Sequence, residues 1–516
     1  MENIVVLFAG FELGRSVRNR YLGSSAIRLC VEWGARHSSS RTFILSTKGN
    51  TDTIFSLISS SEALSSVEFV ERDFWDARTV ASCVSECCEK AGAKCALFAF
   101  IDQPFMSDSL AGKMLGVHAD NLAEYTFADG FPGGIAGEVI DSGAASLIAS
   151  LAEGKEIPAS RTMFMDIMKG DINSFEIETV LSEVDFRRYR LLFESSSAGG
   201  EASCAALCPV LPGSFREGRA EDIGLAALSC ADSVRTLPFF FDVQITSRSN
   251  HVTLCSPPPA LGVGGFPDMD IGKFRALVRA ASEMNPDAVF SLSCFGEPLL
   301  HPSFIDFARA VLSENLRLLV ETDGILVGGL AEKIRGLSEF RDRMDWIVDI
   351  DAAGAKTYAA VRNAPEGDFE KAVGAVSVLS GMFPSRVYPQ FTRMDANEHE
   401  LESFFRFWKD SSSPSGGKVI IKKFDSLCAS LPDRKPADLS PLVRNACWHL
   451  ARDFVVLADG SVVPCRGCGA SACVGNVFSE DVGEIWARGK ELFAEHLSGK
   501  FRGRCGGCDE YYTFNF

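Results

Sequence analysis

At 516 residues the chain has room for about three domains of the usual ~100–200 residues each. Acidic side chains outnumber basic ones, 68 to 51, giving a formal net charge of −17 at pH 7 and a pI near 5.0, which excludes nonspecific binding of nucleic acid or anionic membrane through bulk charge. Apolar runs such as IVVLFAGF and CALFAFI are too short to span a bilayer, which takes ~20 residues, and Met1-Glu2-Asn3 does not open a signal peptide, so a cytoplasmic protein without a membrane span is expected.

Residues 1–195 read as strands alternating with helices: NIVVLFAG, the helix SSAIRLCVEWGAR, RTFILST, the cysteine-bearing helix ARTVASCVSECCEKAG, then KCALFAFID. Such alternation predicts a doubly wound α/β sheet whose ligands bind at strand C-termini. Asp102 stands at such an end, where a carboxylate suits Mg²⁺ held against a nucleotide phosphate. The run from FIDQPF to GEVI carries Asp102 and Pro104, then Glu124-Tyr125, then Phe131, Pro132, Gly134 and Glu138. In that order they resemble the motifs of cytidylyltransferase-type sugar nucleotidyltransferases. The resemblance implies a nucleotide and Mg²⁺ site at Asp102 and Glu138 and a nucleotide-sugar ligand. The first loop, AGFELGRSVRNRYLG, offers Arg15, Arg18 and Arg20 to a triphosphate but lacks the lysine of that family.

Residues 196–235 mix Gly, Ser and Pro with one short apolar helix and are expected to connect two domains. From 236 to about 440, roughly six strand–helix alternations follow, which predicts a parallel sheet curved into a partial (β/α)6 barrel. The first strand, Phe239 to Ile245, runs into a polar loop ending in three prolines. Later strands end in Gly296-Glu297-Pro298, in Thr322-Asp323-Gly324, and at Asp351. This succession resembles a radical S-adenosylmethionine (SAM) domain. The resemblance implies that GEP binds the SAM methionine amino group, that TDG forms the next turn, and that Asp351 lies near the ribose. The family's first loop carries CxxxCxxC, three thiolates on a [4Fe–4S] cluster. Here Ser249, Thr253 and Ser256 occupy those positions, with Cys255 one residue out of register. Hydroxyls stay protonated near neutral pH and are poor iron ligands.

Of 17 cysteines, most sit among apolar neighbours and read as small buried hydrophobes, Cys30, Cys95, Cys204, Cys208, Cys230, Cys294 and Cys428 among them. The last six lie in 441–516. Cys447 and Cys465 flank a hairpin turned at Asp459-Gly460, and Cys505 and Cys508 form a CxxC. The pattern C-x12-G-x4-C, Gly475-Asn476, Glu484-Ile485-Trp486 and CxxC resembles a SPASM auxiliary-cluster domain. That implies one [4Fe–4S] cluster on Cys447, Cys465, Cys505 and Cys508, with Cys468 and Cys473 as substitutes. Four thiolates suit structural zinc equally well, and spacing does not separate the two.

Taken whole, the chain resembles the spiro-SPASM family. Three readings follow: an iron–sulfur protein that no longer cleaves SAM and serves a redox or binding partner, a radical-SAM oxidoreductase with atypical cluster ligation, or a nucleotidyltransferase acting on a sugar phosphate. Small molecules, nucleotide-sugars and peptides all remain open as substrates.

Overall fold

Alternation along β1 (Asn3–Ala9) fixes the first layer of the structure: Val5, Leu7 and Ala9 enter one core, Ile4, Val6 and Phe8 the other. A strand apolar on both faces must be covered on both. The computed structural model describes residues 2–437 and 439–512 and divides into two units, Met1–Thr236 and Leu237–Phe516. In the first, a small hairpin of β2 (Arg20–Tyr21) and β3 (Ser24–Ser25) precedes β4 (Thr42–Ser46), β5 (Val67–Glu71), β6 (Cys95–Phe100), β7 (Tyr125–Asp129), β8 (Glu138–Asp141) and β9 (Ile177–Leu181). The sheet order is β5-β4-β1-β6-β8-β7-β9, with β8 antiparallel to both neighbours and every other pairing parallel. Helix Ala26–His37 covers one face through Ile27, Cys30 and Trp33; helix Ala77–Ala91 covers the other through Val80, Cys83, Val84 and Cys87. The expected doubly wound sheet is therefore present.

The stretch 196–235 is not a loose connection. It folds into helices Ala198–Leu207, Glu221–Leu228 and Ala231–Val234. Cys204, Leu207, Phe215, Ile223 and Ala227 are buried in the first unit's core. Its Gly, Ser and Pro residues mask apolar positions within its helices, Cys204 and Leu207 three apart and Ile223 and Ala227 four apart, which gain more by burial than by exposure.

The second unit is built on six consecutive parallel strands, β10 (Phe240–Val243), β11 (Val289–Ser291), β12 (Arg317–Thr322), β13 (Met344–Asp349), β14 (Val387–Arg393) and β15 (Ile420–Lys423), joined in turn by helices. This is the expected run of β/α units. The sheet does not stop at β10. The tail adds β16 (Asp453–Val456), parallel to β10, and then antiparallel β17 (Ser461–Val463) and β18 (Gly475–Asn476), for nine strands in all. Barrel and tail thus share one sheet. The β16–β17 turn falls at the expected Asp459-Gly460, with Gly460 at φ +86°. After Asn476 come two helices, Val482–Arg488 and Lys490–Leu497, with Gly489 ending the first.

Phe290 of β11 sits at the centre of the core, fully buried, stacked on Phe241 at 4.9 Å and 5° and meeting Phe274 edge-on at 6.0 Å. Phe290→Ala is expected to destabilise this unit by about 3–5 kcal/mol, read as a fall in the urea midpoint. An unchanged midpoint would show that the stack contributes nothing.

Candidate functional site

The loop leaving β10 is closed by its own hydroxyls. Ser249 Oγ donates to the His251 carbonyl at 2.9 Å. The Thr253 amide donates to Ser256 Oγ at 2.8 Å, the two hydroxyl oxygens lie 3.4 Å apart, and the Cys255 amide donates to Thr253 Oγ1 at 3.1 Å. These are the local turns that Ser and Thr side chains favour. The Cys255 thiol points elsewhere, 3.7 Å from Met394 Sδ, and burial pushes it up to about 12. Two neighbours of Ser249 pin the loop. Asn250 Nδ2 donates to both Asp323 oxygens, at 2.9 and 3.2 Å, and His251 Nε2 meets Asp368 Oδ2 at 3.0 Å.

The strand ends form one linked set. Gly296 packs so closely that a Cβ would fall 2.0 Å from the Thr246 carbonyl oxygen, and Phe295 before it is held at φ +55°. Glu297 is buried and accepts three bonds: from Thr322 Oγ1 at 2.8 Å, the Asp323 amide at 2.8 Å and the Leu299 amide at 3.0 Å. Pro298 opens the short helical turn that follows. Burial, with Asp323 close by, pushes Glu297 well above the usual carboxylate range. Gly324 takes φ +79° in its turn. Asp351, buried at φ +59°, accepts from Arg362 Nη1 at 2.6 Å and from the Thr392 amide at 2.7 Å. The expected strand-end residues are therefore near neighbours on the sheet, and Glu297 ties two of the strand ends together directly.

Behind them runs a strip of buried charge. Asp242 of β10, 2% exposed, is paired with Arg466, whose Nη2 lies 2.9 Å from Oδ1. Gln390 bridges Glu321 at 3.0 Å and Asp349 at 2.6 Å, and Lys422 Nζ lies 3.4 Å from Glu321. Burial would raise Glu321, but Lys422 and Arg466 overcome it and hold the carboxyl near 2; Asp349 is pushed well up by burial and by Glu321.

In the tail, the sulfurs of Cys465 and Cys468 lie 3.4 Å apart, and Cys428 lies close to Cys465. Cys508 Sγ accepts the Glu510 amide at 3.4 Å. Cys447 is buried at the start of helix Trp448–Arg452, with the His449 and Leu450 amides at its sulfur. Cys505 is half-buried, its carbonyl bound by Arg444. Cys473 is exposed and bonds the Gly475 carbonyl at 3.2 Å. Cys465 and Cys468 are thus neighbours, and among the described residues no group of three or more His, Cys, Asp or Glu is placed to hold a metal ion. The donor set still suits a thiophilic cluster, being thiols in a mostly buried pocket with backbone N–H groups at the sulfurs.

In the first unit, Asp102 is fully buried and salt-bridged to Arg161 Nη2 at 2.7 Å. Arg161 also pairs with Glu194 and lies over the Phe100 ring at 4.4 Å. Arg15 is bound to Glu201 at 2.8 Å, while Arg18 and Arg20 are exposed. Glu138 is pushed up to about 7 by burial, against a hydrogen bond from Tyr125 that lowers it.

Residues 447–509 match the SPASM family, an iron–sulfur cluster-binding domain. An uncharacterized protein of Treponema pallidum (strain Nichols) is 35% identical over 368 residues, covering 69% of this chain and 99% of that one. The chain belongs to one family with the Treponema protein and carries a SPASM iron–sulfur cluster-binding domain. Among solved structures, Streptococcus suis SuiB bound to precursor peptide SuiA is similar at a TM-score of 0.40 and 10% identity over 57% of this chain and 75% of that one. A cytidylyltransferase from Leptospira borgpetersenii serovar Hardjo-bovis is similar at 0.37 and 12% identity over 46% and 99%.

Sequence reasoning missed this strip of charge, although the signal was there: FFFDV, LLVET, WIVDI and VIIKK each set a charge inside an apolar strand. It also missed Arg161, which sits in a loop with no motif to mark it, and the thiol neighbourhood of Cys428.

The Glu138 carboxyl gives a pH test. Between about 4.5 and about 7 the folded chain keeps a proton that the unfolded chain has released, so stability falls as pH rises through that window. Glu138→Gln is expected to remove this decline, seen as a wild-type-minus-variant difference in Tm that shrinks from pH 7 to pH 4.5. A difference independent of pH would contradict it.

Proposed function

We propose that this chain is a radical-SAM descendant that no longer cleaves SAM reductively and serves a redox or binding partner through one C-terminal [4Fe–4S] cluster. The observation that carries this reading is the loop 249–256. Its three positions for cluster ligands are hydroxyls already engaged in the loop's own hydrogen bonds, and Cys255 faces Met394 with a thiol that stays protonated. A protonated hydroxyl is no substitute for thiolate on iron. That chemistry also speaks against a radical enzyme with atypical ligation at this loop.

The strand ends Gly296-Glu297-Pro298, Thr322-Asp323-Gly324 and Asp351 keep the form of a SAM cradle, and we read them as a surviving binding surface. Glu297 and Asp351 act there chiefly as braces, since their oxygens already accept several protein bonds. In the tail, Cys447, Cys465, Cys505 and Cys508 would hold the cluster, with buried Cys468 a better substitute than exposed Cys473. When bound, the cluster supplies one-electron redox chemistry. The residues around it shield the thiolates from water and set hydrogen bonds at their sulfurs.

The first unit supports ligand binding over nucleotide transfer. The cation already set against Asp102 is Arg161, and losing one partner of such a buried pair costs ~3–5 kcal/mol. We place the protein in the cytoplasm, where 17 cysteines stay reduced.

Anaerobic reconstitution with iron and sulfide, followed by SAM and a strong reductant, tests the reading. One cluster per chain and no 5′-deoxyadenosine are expected. Changing Ser249, Thr253 and Ser256 together to Cys should raise iron uptake toward a second cluster. Two clusters and 5′-deoxyadenosine from the unmodified protein would overturn the proposal, and zinc in place of iron would overturn the assignment of the tail.

A further inference from the structure

Cys428 lies before the segment that matches the SPASM family, in the loop after β15, and carries no motif. A cysteine that merely fills a core has apolar neighbours. Here the thiol lies close to three other thiols, those of Cys465, Cys508 and Cys468. It presses on the backbone between Cys465 and Cys468, since a Cβ on Gly467 would fall 2.4 Å from the Cys428 sulfur. The residue before it, Leu427, is buried in the small apolar cluster of Leu261, Val263, Val455, Leu457 and Val463 and anchors the turn. Leu427, Cys428 and Ala429 take φ of +50°, +55° and +60°, a left-handed run that side chains other than glycine rarely hold and that is found at functional sites. That turn delivers the thiol to the other cysteines.

We infer that Cys428 is a thiolate ligand of the C-terminal iron–sulfur cluster, alongside Cys465 and Cys508, and that it takes the place of either Cys447 or Cys505 among the cluster's four. The inference rests on the iron–sulfur reading of the tail and extends the ligand set into the barrel's last loop. On binding iron the thiol gives up its proton, as every cysteine ligand does. The ligands then come from both ends of the shared sheet, so loading the cluster ties the loop after β15 to the C-terminal CxxC.

The test compares the full-length wild type with Cys428→Ser, Cys465→Ser and Cys473→Ser after anaerobic reconstitution, by iron and sulfide content and by EPR. Cys428→Ser is expected to behave as Cys465→Ser, losing half or more of the iron or yielding a three-iron cluster signal, while Cys473→Ser matches wild type. Gly467→Ala removes no cysteine but sets a methyl against the Cys428 sulfur, and a similar loss is expected; it decides the matter should Cys428→Ser fail to fold. Wild-type iron, sulfide and EPR spectrum in either Cys428→Ser or Gly467→Ala overturns the inference. Wild-type protein that takes up zinc and no iron overturns the iron–sulfur reading instead. The ligand role of Cys428 is then decided by whether Cys428→Ser loses that zinc.

Discussion

The pair between Asp242 and Arg466 organises the second unit. A carboxylate 2% exposed, in the middle of a parallel sheet, is tolerable only with a cation against it. The chain supplies that cation from the residue after Cys465, more than two hundred positions away. To deliver it, the tail runs β16 alongside β10 and turns back through β17. The cysteine loop is thereby held against the sheet by a charge that cannot be withdrawn cheaply. Arg466 also helps to keep Glu321 ionised, so the same guanidinium serves two carboxylates on different strands.

Around that pair the strand ends are braced rather than open. Glu297 joins the ends of two strands, Asp323 holds Asn250 of the first loop, and Asp351 is locked to Arg362. Backbone strain concentrates in the same region, at Phe295 and Asp351, and in the turn that carries Cys428. Non-glycine residues held this way cost of order 1–3 kcal/mol each and persist only where the surroundings over-determine them. A frame braced in this detail points to a use for the frame itself. In the first unit an arginine likewise stands at the buried carboxylate of Asp102.

Much of this was legible in the chain. The period-two burial of β1, the strand–helix alternation of both units, the turn at Asp459-Gly460 and the SPASM spacing are local patterns, set by residues within a few positions of one another. The hydroxyls at Ser249, Thr253 and Ser256 were legible for the same reason, since three positions in one loop suffice to see them. The segment 196–235 misled because its composition is that of a linker while its apolar residues, Cys204, Leu207, Phe215 and Ile223, are spaced for burial.

The sequence by itself determined the fold class of each unit and the SPASM spacing of the tail, because each depends on residue type at short spacing. Only the tertiary structure decided which charges meet and which cysteines are neighbours. Asp242 with Arg466, Asp102 with Arg161, and Cys428 with Cys465 and Cys508 are pairings across loops and sheets, made where burial forces a polar or sulfur group to find a partner, and no local pattern encodes that partner's place in the chain.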